Sequence, residues 1–233
     1  MNLRVFQQEF RALGNADIAA HSQRFFKTGK GEYGEGDVFL GLRVPVIRAE
    51  VKRCRGQMSL EQVIKILHSK YHEERLFAVL MLVDLYQRGD EAQKQQVYQT
   101  YLANTGKVNN WDLVDASAHK IVGPHLGKSG SRLLPKLAKS SSLWERRIAI
   151  MTTCHFIVNH DFADTVKLSE RLLNDPEDLM HKATGWMLRE VGNRDKSVLE
   201  AFLKEHVKDM PRTMLRYSIE KFPEEERKAW LRA

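Results

Sequence analysis

The chain has 233 residues, 42% hydrophobic and 29% charged, enough to bury a core as one domain or two. No apolar run approaches the roughly 18 to 20 residues of a membrane span, and the two cysteines, Cys54 and Cys154, match no paired metal or redox motif. The formal net charge is +7 and the pI near 9.4, a balance compatible with nucleic acid as a partner.

The first ten residues, Met1 to Phe10, are broken by charge too early for a signal peptide. They point to a cytoplasmic protein whose thiols stay reduced and idle. A helix ends near Lys27. The stretch 28–37, Thr-Gly-Lys-Gly-Glu-Tyr-Gly-Glu-Gly-Asp, then leads to an apolar turn at 38–42. Gly29, Gly31 and Gly34 formally satisfy G-x-G-x-x-G, but the dinucleotide reading needs a strand before and a helix after, and neither is present. Two glutamates in the loop would repel a pyrophosphate, and a kinase-type loop wants valine where Gly36 stands. The segment reads as a flexible surface loop. Helical periodicity follows over 60–67, 73–86, 91–102, 113–122, 143–158, 165–173, 179–191, 198–207 and 213–222, with no strand alternation. Caps mark several starts: Ser59 with Gln62, Ser142 with Glu145, and Asp175-Pro176 ahead of Glu177. Gly89, Gly106, the segment 127–130 and Asp195 separate the helices.

A register recurs in this series. A charged residue followed by an apolar helical run occurs at Arg75, Asp112, Arg147, Lys182 and Arg212, at spacings of 37, 35, 35 and 30 residues. Helix pairs at this period predict an all-α fold, a curved α-solenoid of HEAT-like (armadillo-like) repeats, taken as a single domain over 1–233. The second helices of successive pairs then share one surface. That puts Trp111, Asp115, Arg147, Lys182, Trp186, Arg189, Arg212 and Arg216 on or near one groove.

Trp111 and Asp115 stand one helical turn apart, so they share a helix face. An aromatic beside a carboxylate suits a cationic species. Equally, Trp111 fits a core aromatic and Asp115 a solvated surface residue. Trp186 is flanked by apolar residues and fits the core as well; Gly185 beside it permits close approach of another backbone. Arg146 and Arg147 open a helix, where a cation opposes the macrodipole. Either a phosphate or a salt bridge to Glu145 or a neighbouring repeat relieves that cost. Lys120, Lys128, Arg132, Lys136 and Lys139 follow one another with no acid between them; phosphate contact and simple solvation both account for such a run. His119, His125, His155 and His160 lack the spacing of a zinc enzyme, so no metal and no cofactor is expected. No nucleophile elbow is present.

Three segments carry a family resemblance: Asn110-Trp111-Asp112-Leu113-Val114-Asp115, Trp144-Glu145-Arg146-Arg147-Ile148-Ala149, and His181-Lys182-Ala183-Thr184-Gly185-Trp186-Met187-Leu188-Arg189-Glu190. Met210-Pro211-Arg212-Thr213-Met214-Leu215-Arg216-Tyr217 and Phe25-Phe26-Lys27-Thr28-Gly29 extend it. Together they resemble the AlkD-type DNA alkylation-repair glycosylases over nearly the whole chain. The resemblance implies HEAT-like repeats whose basic concave face holds duplex DNA. It also implies release of positively charged alkylated purines, chiefly 3-methyladenine and 7-methylguanine. Trp111 and Trp186 would be aromatic walls, Asp115 the catalytic carboxylate and Arg147 a backbone-holding residue. Arg146, Lys182, Arg189, Arg212 and Arg216 would add DNA contacts. The expected state is a metal-free monomer, off the membrane and nucleoid-associated when on DNA. The loop from Gly29 to Asp37 is longer and more acidic than in the best-known members of that family. Some relatives bind DNA without excising bases, so a non-catalytic DNA-structure binder is the alternative. A protein–protein scaffold is a third reading; it lacks any need for DNA affinity.

Overall fold

Helices alone build this chain, because long stretches carry apolar residues at three- and four-residue intervals while strand-like alternation is missing. The computed structural model describes residues 1–233 and contains fourteen α-helices. The only β-pairing is an isolated bridge between Val38 and Tyr71. The chain divides into two compact units, Met1–Ser117 and Ala118–Ala233. No helix is long and apolar enough to cross a membrane.

The first unit holds α1 (Leu3–Ala12), α2 (Ala16–Phe25), α3 (Val44–Arg53), α4 (Leu60–Leu67), α5 (His72–Arg88) and α6 (Glu91–Ala103), a 3-10 turn (Thr105–Lys107), and the start of α7 (Trp111–Leu126). Its axis is α5, which is buried on nearly every side. Phe6 and Phe10 of α1 close on Phe77 of α5, with ring centroids 4.7 and 5.5 Å apart. Helices α3, α4 and α6 pack on α5 as well. A helix enclosed this way leaves no solvent side for its charged first turn. The carboxylate of Glu74 therefore takes Nε of Arg11 at 2.6 Å and the amide of Gln7 at 3.2 Å. Glu73 accepts the backbone N–H groups of Leu40, Gly41 and Leu42 at 2.8, 2.8 and 3.2 Å. Gly41 adopts φ +82, and a Cβ there would land on the Asn15 carbonyl oxygen. Only glycine fits that crossing.

The second unit holds the rest of α7, then α8 (Leu133–Leu137), α9 (Leu143–Val158), α10 (Ala163–Arg171), α11 (Asp178–Gly192), α12 (Lys196–His206), α13 (Arg212–Ser218) and α14 (Glu224–Arg232). Helices α8 and α10 pack on α9, and α10, α12 and α13 pack on α11. Leu188, Leu199, Phe202, Leu203, Met210, Met214 and Leu215 form one core, against which Trp230 and Leu231 of α14 rest. Successive odd-numbered helices pack together, α3 on α5 in the first unit and α9 on α11 on α13 in the second. This is the solenoid-like repeat expected from the register.

The boundaries of α4 and α9 agree with the sequence reading, and the Ser59–Gln62 capping box is present. Three differences have physical causes. Helix α7 starts at Trp111 rather than 113, because the Asn110 side chain accepts the Trp111 N–H at 2.8 Å. Helix α13 stops at Ser218; a helix continued through Pro223 would drive the proline ring against the Ile219 carbonyl four residues back. Asp175 is not a simple cap: its carboxylate accepts Nε of Arg146 at 2.6 Å as well as the Glu177 N–H at 3.0 Å. Helices α1, α3, α8 and α14 went unread in the sequence, being short or weakly apolar.

Gly185 lies where α11 meets α13. A Cβ there would sit 2.5 Å from the Met214 carbonyl oxygen and 2.6 Å from Cβ of Tyr217. Alanine gains about 1 kcal/mol of helix propensity over glycine, but a backbone carbonyl cannot swing aside as a flexible side chain does. Gly185→Ala is expected to lower the unfolding free energy by about 1–3 kcal/mol in urea titration, through overpacking.

Candidate functional site

Trp111 and Asp115 occupy the first and second turns of α7, as the spacing predicted, and both are half-buried. The indole belongs to an aromatic group. Phe26 stacks on it at 5.2 Å with planes 12° apart, and Phe25 meets it edge-on at 6.1 Å. Phe26 in turn stacks on Phe39 at 5.0 Å. Such contacts contribute about 0.5–1.5 kcal/mol each beyond area burial, so Trp111 is held in one pose while part of it faces solvent. Phe25 is 58% exposed.

Beneath this aromatic group lies a set of charges that the sequence reading did not recognise as a site. His72 is 1% exposed and sits between two carboxylates. Its Nδ1 is 3.2 Å from Oδ2 of Asp37, and its Nε2 is 2.8 Å from Oδ2 of Asp112. Each nitrogen faces an acceptor, so each carries a proton and the ring is an imidazolium. Nη2 of Arg75 donates to Oδ1 of Asp37 at 2.5 Å, and the Asn110 amide donates to Oδ2 at 3.1 Å. Two carboxylates and two cations thus cancel in a dry interior, as buried charges must. Burial alone would push the His72 ring down; the charge of Asp112 and the hydrogen bonds to Asp112 and Asp37 outweigh it and raise the pKa to about 9. Burial pushes the Asp37 carboxyl up, yet the His72 bond, the Arg75 charge and the Asn110 bond hold it below the usual carboxylate range. The signal for this network was visible: four consecutive charged or polar residues, His72 to Arg75, opening an otherwise apolar helix.

Asp37 ends the glycine-rich loop. Within that loop Glu32 accepts the Gly29 N–H at 2.9 Å and Glu35 the Gly31 N–H at 2.8 Å. The glutamates fill the donors a phosphate would need, in keeping with the reading of the segment as no phosphate loop.

In the second unit, Arg147 is 5% exposed and donates Nη1 to the Leu179 carbonyl at 2.7 Å, across to the first turn of α11. Arg146 is committed to the protein: Nε and Nη2 engage Asp175 at 2.6 and 3.2 Å, and Nη1 donates to the Ser140 and Ser141 carbonyls at 3.1 and 3.0 Å. The salt bridge to a neighbouring repeat, left open by the sequence, is the arrangement observed for Arg146. Arg75 repeats it, donating Nη1 to the Ser69 and Lys70 carbonyls at 3.1 and 3.2 Å and Nη2 to Asp37. Each is the fourth residue of its helix. By contacts, then, Arg75 corresponds to Arg146, one residue before the register residue Arg147.

Trp186 is half-buried on α11 and donates Nε1 to Glu190 at 3.2 Å. Lys182 pairs with Asp178 one turn away at 2.8 Å. Arg189 pairs with Glu220 of the segment after α13. Arg212 donates to the Leu231 carbonyl at 3.0 Å, and Arg216 is exposed. Burial pushes the thiols of Cys54 and Cys154 up, which suppresses thiolate. No group of three His, Cys, Asp or Glu residues is placed to hold a metal ion.

A family model described as DNA alkylation repair enzyme matches residues 6–222. A solved structure of a predicted DNA alkylation repair enzyme from Enterococcus faecalis is similar in fold, with a TM-score of 0.68 at 19% identity over 91% of this chain and 97% of that one. No curated protein matches the sequence.

The raised His72 pKa has a sign. Below the unfolded value of 6.5 both states hold the proton and the network's contribution is complete. As pH rises toward about 9 only the folded state keeps it, so stability falls, and above that the contribution is gone. Urea unfolding between pH 6 and 9.5 should show this decline in the wild type, and His72→Gln should flatten it. Equal slopes in both proteins would remove His72 as the cause.

Proposed function

This chain belongs to the DNA alkylation repair enzyme family, and on that premise we propose that it is a DNA glycosylase. Its reaction is hydrolysis of the N-glycosidic bond of positively charged alkylated purines, chiefly 3-methyladenine and 7-methylguanine, in duplex DNA. The observation that carries the reading is the half-exposed Trp111–Asp115 pair at the start of α7, inside the matched segment, with the indole braced by Phe25 and Phe26.

The chemistry needs little machinery. An N-alkylated purine already bears a positive charge, so it leaves as a neutral base without a general acid. Ordinary glycoside hydrolysis needs a second carboxyl group as an acid because its leaving group is uncharged; here one suffices. As the bond breaks, cationic character passes to the deoxyribose. Asp115 stabilises that charge and orients a water toward the anomeric carbon; as the new C–O bond forms, the water's proton passes to the Asp115 carboxylate and on to solvent. The indole face of Trp111 attracts the same cation, at about 0.5–2 kcal/mol, and Trp186 offers a second indole to the DNA. Arg147, preset by Leu179, holds a flanking phosphate, and Arg146 fixes α9 through Asp175. Lys182, Arg189, Arg212 and Arg216 add phosphate contacts. The enzyme captures the sugar and backbone rather than reading the base in a pocket, unlike base-flipping glycosylases. Selectivity then follows the lability of the cationic nucleotide.

Asp115→Asn should reduce release of 7-methylguanine from duplex DNA by about 10²–10³-fold, the scale of a lost charge-stabilising group, with DNA affinity retained. Unchanged release would remove Asp115 from its role; no release by the wild type, with DNA affinity kept, would favour the non-catalytic DNA binder. For the phosphate contacts, Arg216→Ala is the cleaner probe because Arg216 is exposed whereas truncating buried Arg147 also disturbs the fold. It should reduce the slope of log affinity against log salt by about 0.9; an unaltered slope excludes that contact.

A further inference from the structure

The proposed chemistry leaves a buried charge network of the first unit without a task. His72 is the one side chain that touches both Asp37 and Asp112. From that ring two routes lead to Trp111. The polar route runs through Asp112, the second residue of α7, and through Asp37 to Asn110, whose side chain carbonyl accepts the Trp111 N–H. The aromatic route is shorter. The His72 ring lies 4.6 Å from Phe39 and 4.9 Å from Phe26, and Phe26 stacks on the indole. Both routes end on the same residue, one from its backbone and one from its ring.

We propose that His72 is a positioning residue for Trp111: by gripping Asp37 and Asp112 together it ties the end of the glycine-rich loop to the first turn of α7 and sets the pose of the indole. The role in excision rests on the reading of Trp111 as a wall for the sugar cation; the positioning itself does not. The groups facing the imidazolium are Asp37 from the loop, Asp112 from α7 and Arg75 from its own helix, with Phe26 and Phe39 on its faces. Glu73 is turned away to the Leu40–Leu42 backbone. Loss of the ring proton leaves one nitrogen lone pair against a carboxylate oxygen, which pushes the loop and α7 apart. A misplacement on the scale of 1 Å is enough to slow a reaction about 10²-fold.

The test reads Trp111 directly. The full chain is labelled with 5-fluorotryptophan, and the Trp111 resonance among those of Trp111, Trp144, Trp186 and Trp230 is assigned by Trp111→Phe. In His72→Gln the Trp111 resonance should shift or broaden while the other three stay put. In the wild type it should move as pH passes about 9, and in His72→Gln it should not. Release of 7-methylguanine should fall about 10–100-fold in His72→Gln, with DNA affinity kept, and the same substitution should add nothing in a Trp111→Ala background. If His72→Gln does not fold, Asp112→Asn withdraws one carboxylate and must move the same resonance. A folded variant whose Trp111 resonance is unmoved overturns the proposal, as does a rate loss that persists undiminished without the indole. A wild type that releases no base defeats the glycosylase reading alone, because the resonance still reports whether His72 sets the pose.

Discussion

An imidazolium clamped between two carboxylates holds the end of the glycine-rich loop to the start of α7. Asp37, His72, Arg75 and Asp112 come from a loop and from two helices, and each is satisfied only while the others stay in place. Buried ion pairs add little net stability when complete, yet removing one partner typically costs about 3–5 kcal/mol because the rest are stranded. Such a group therefore specifies an arrangement more than it strengthens one. Here the arrangement it specifies is the start of α7, where Trp111 and, one turn on, Asp115 project.

The second unit uses a related device. Arg146 grips Asp175 and two upstream carbonyls as Arg75 grips Asp37 and two upstream carbonyls. In both units a guanidinium at the fourth helical residue fastens its helix to a neighbouring loop. The fork of arginine suits this, since it offers several donors in one plane. The repeat is thus written in buried contacts at helix starts as well as in apolar periodicity. It also explains why two adjacent arginines occur at 146 and 147: one is consumed by the architecture, and the other lies against α11.

Periodicity made α4, α5, α9 and α11 legible, because each carries a long apolar face. The Trp111–Asp115 pair was legible for the same reason, a spacing of one turn. Short helices with few apolar residues, such as α8 and α14, left no comparable trace. The charge network was hidden for a different reason: its partners lie 35 to 73 residues apart, and no local pattern encodes a long-range ion pair. What the sequence did offer was an anomaly, a polar quartet opening a helix otherwise made for burial. Arg146 was hidden too, since a cation at a helix start is equally suited to phosphate or to Asp175 until the fold places one of them there.

In the proposed reaction a single carboxylate and an aromatic face suffice because the substrate brings its own positive charge. The decisive measurement compares release of free base from two duplexes, one carrying 7-methylguanine and one carrying uracil, against the protein-free rate. Clear release of 7-methylguanine and little or none of uracil is expected. Equal release of both, or release of uracil alone, would contradict the single-carboxylate mechanism, because a neutral base needs an acid or a reading pocket that the Trp111–Asp115 pair does not supply.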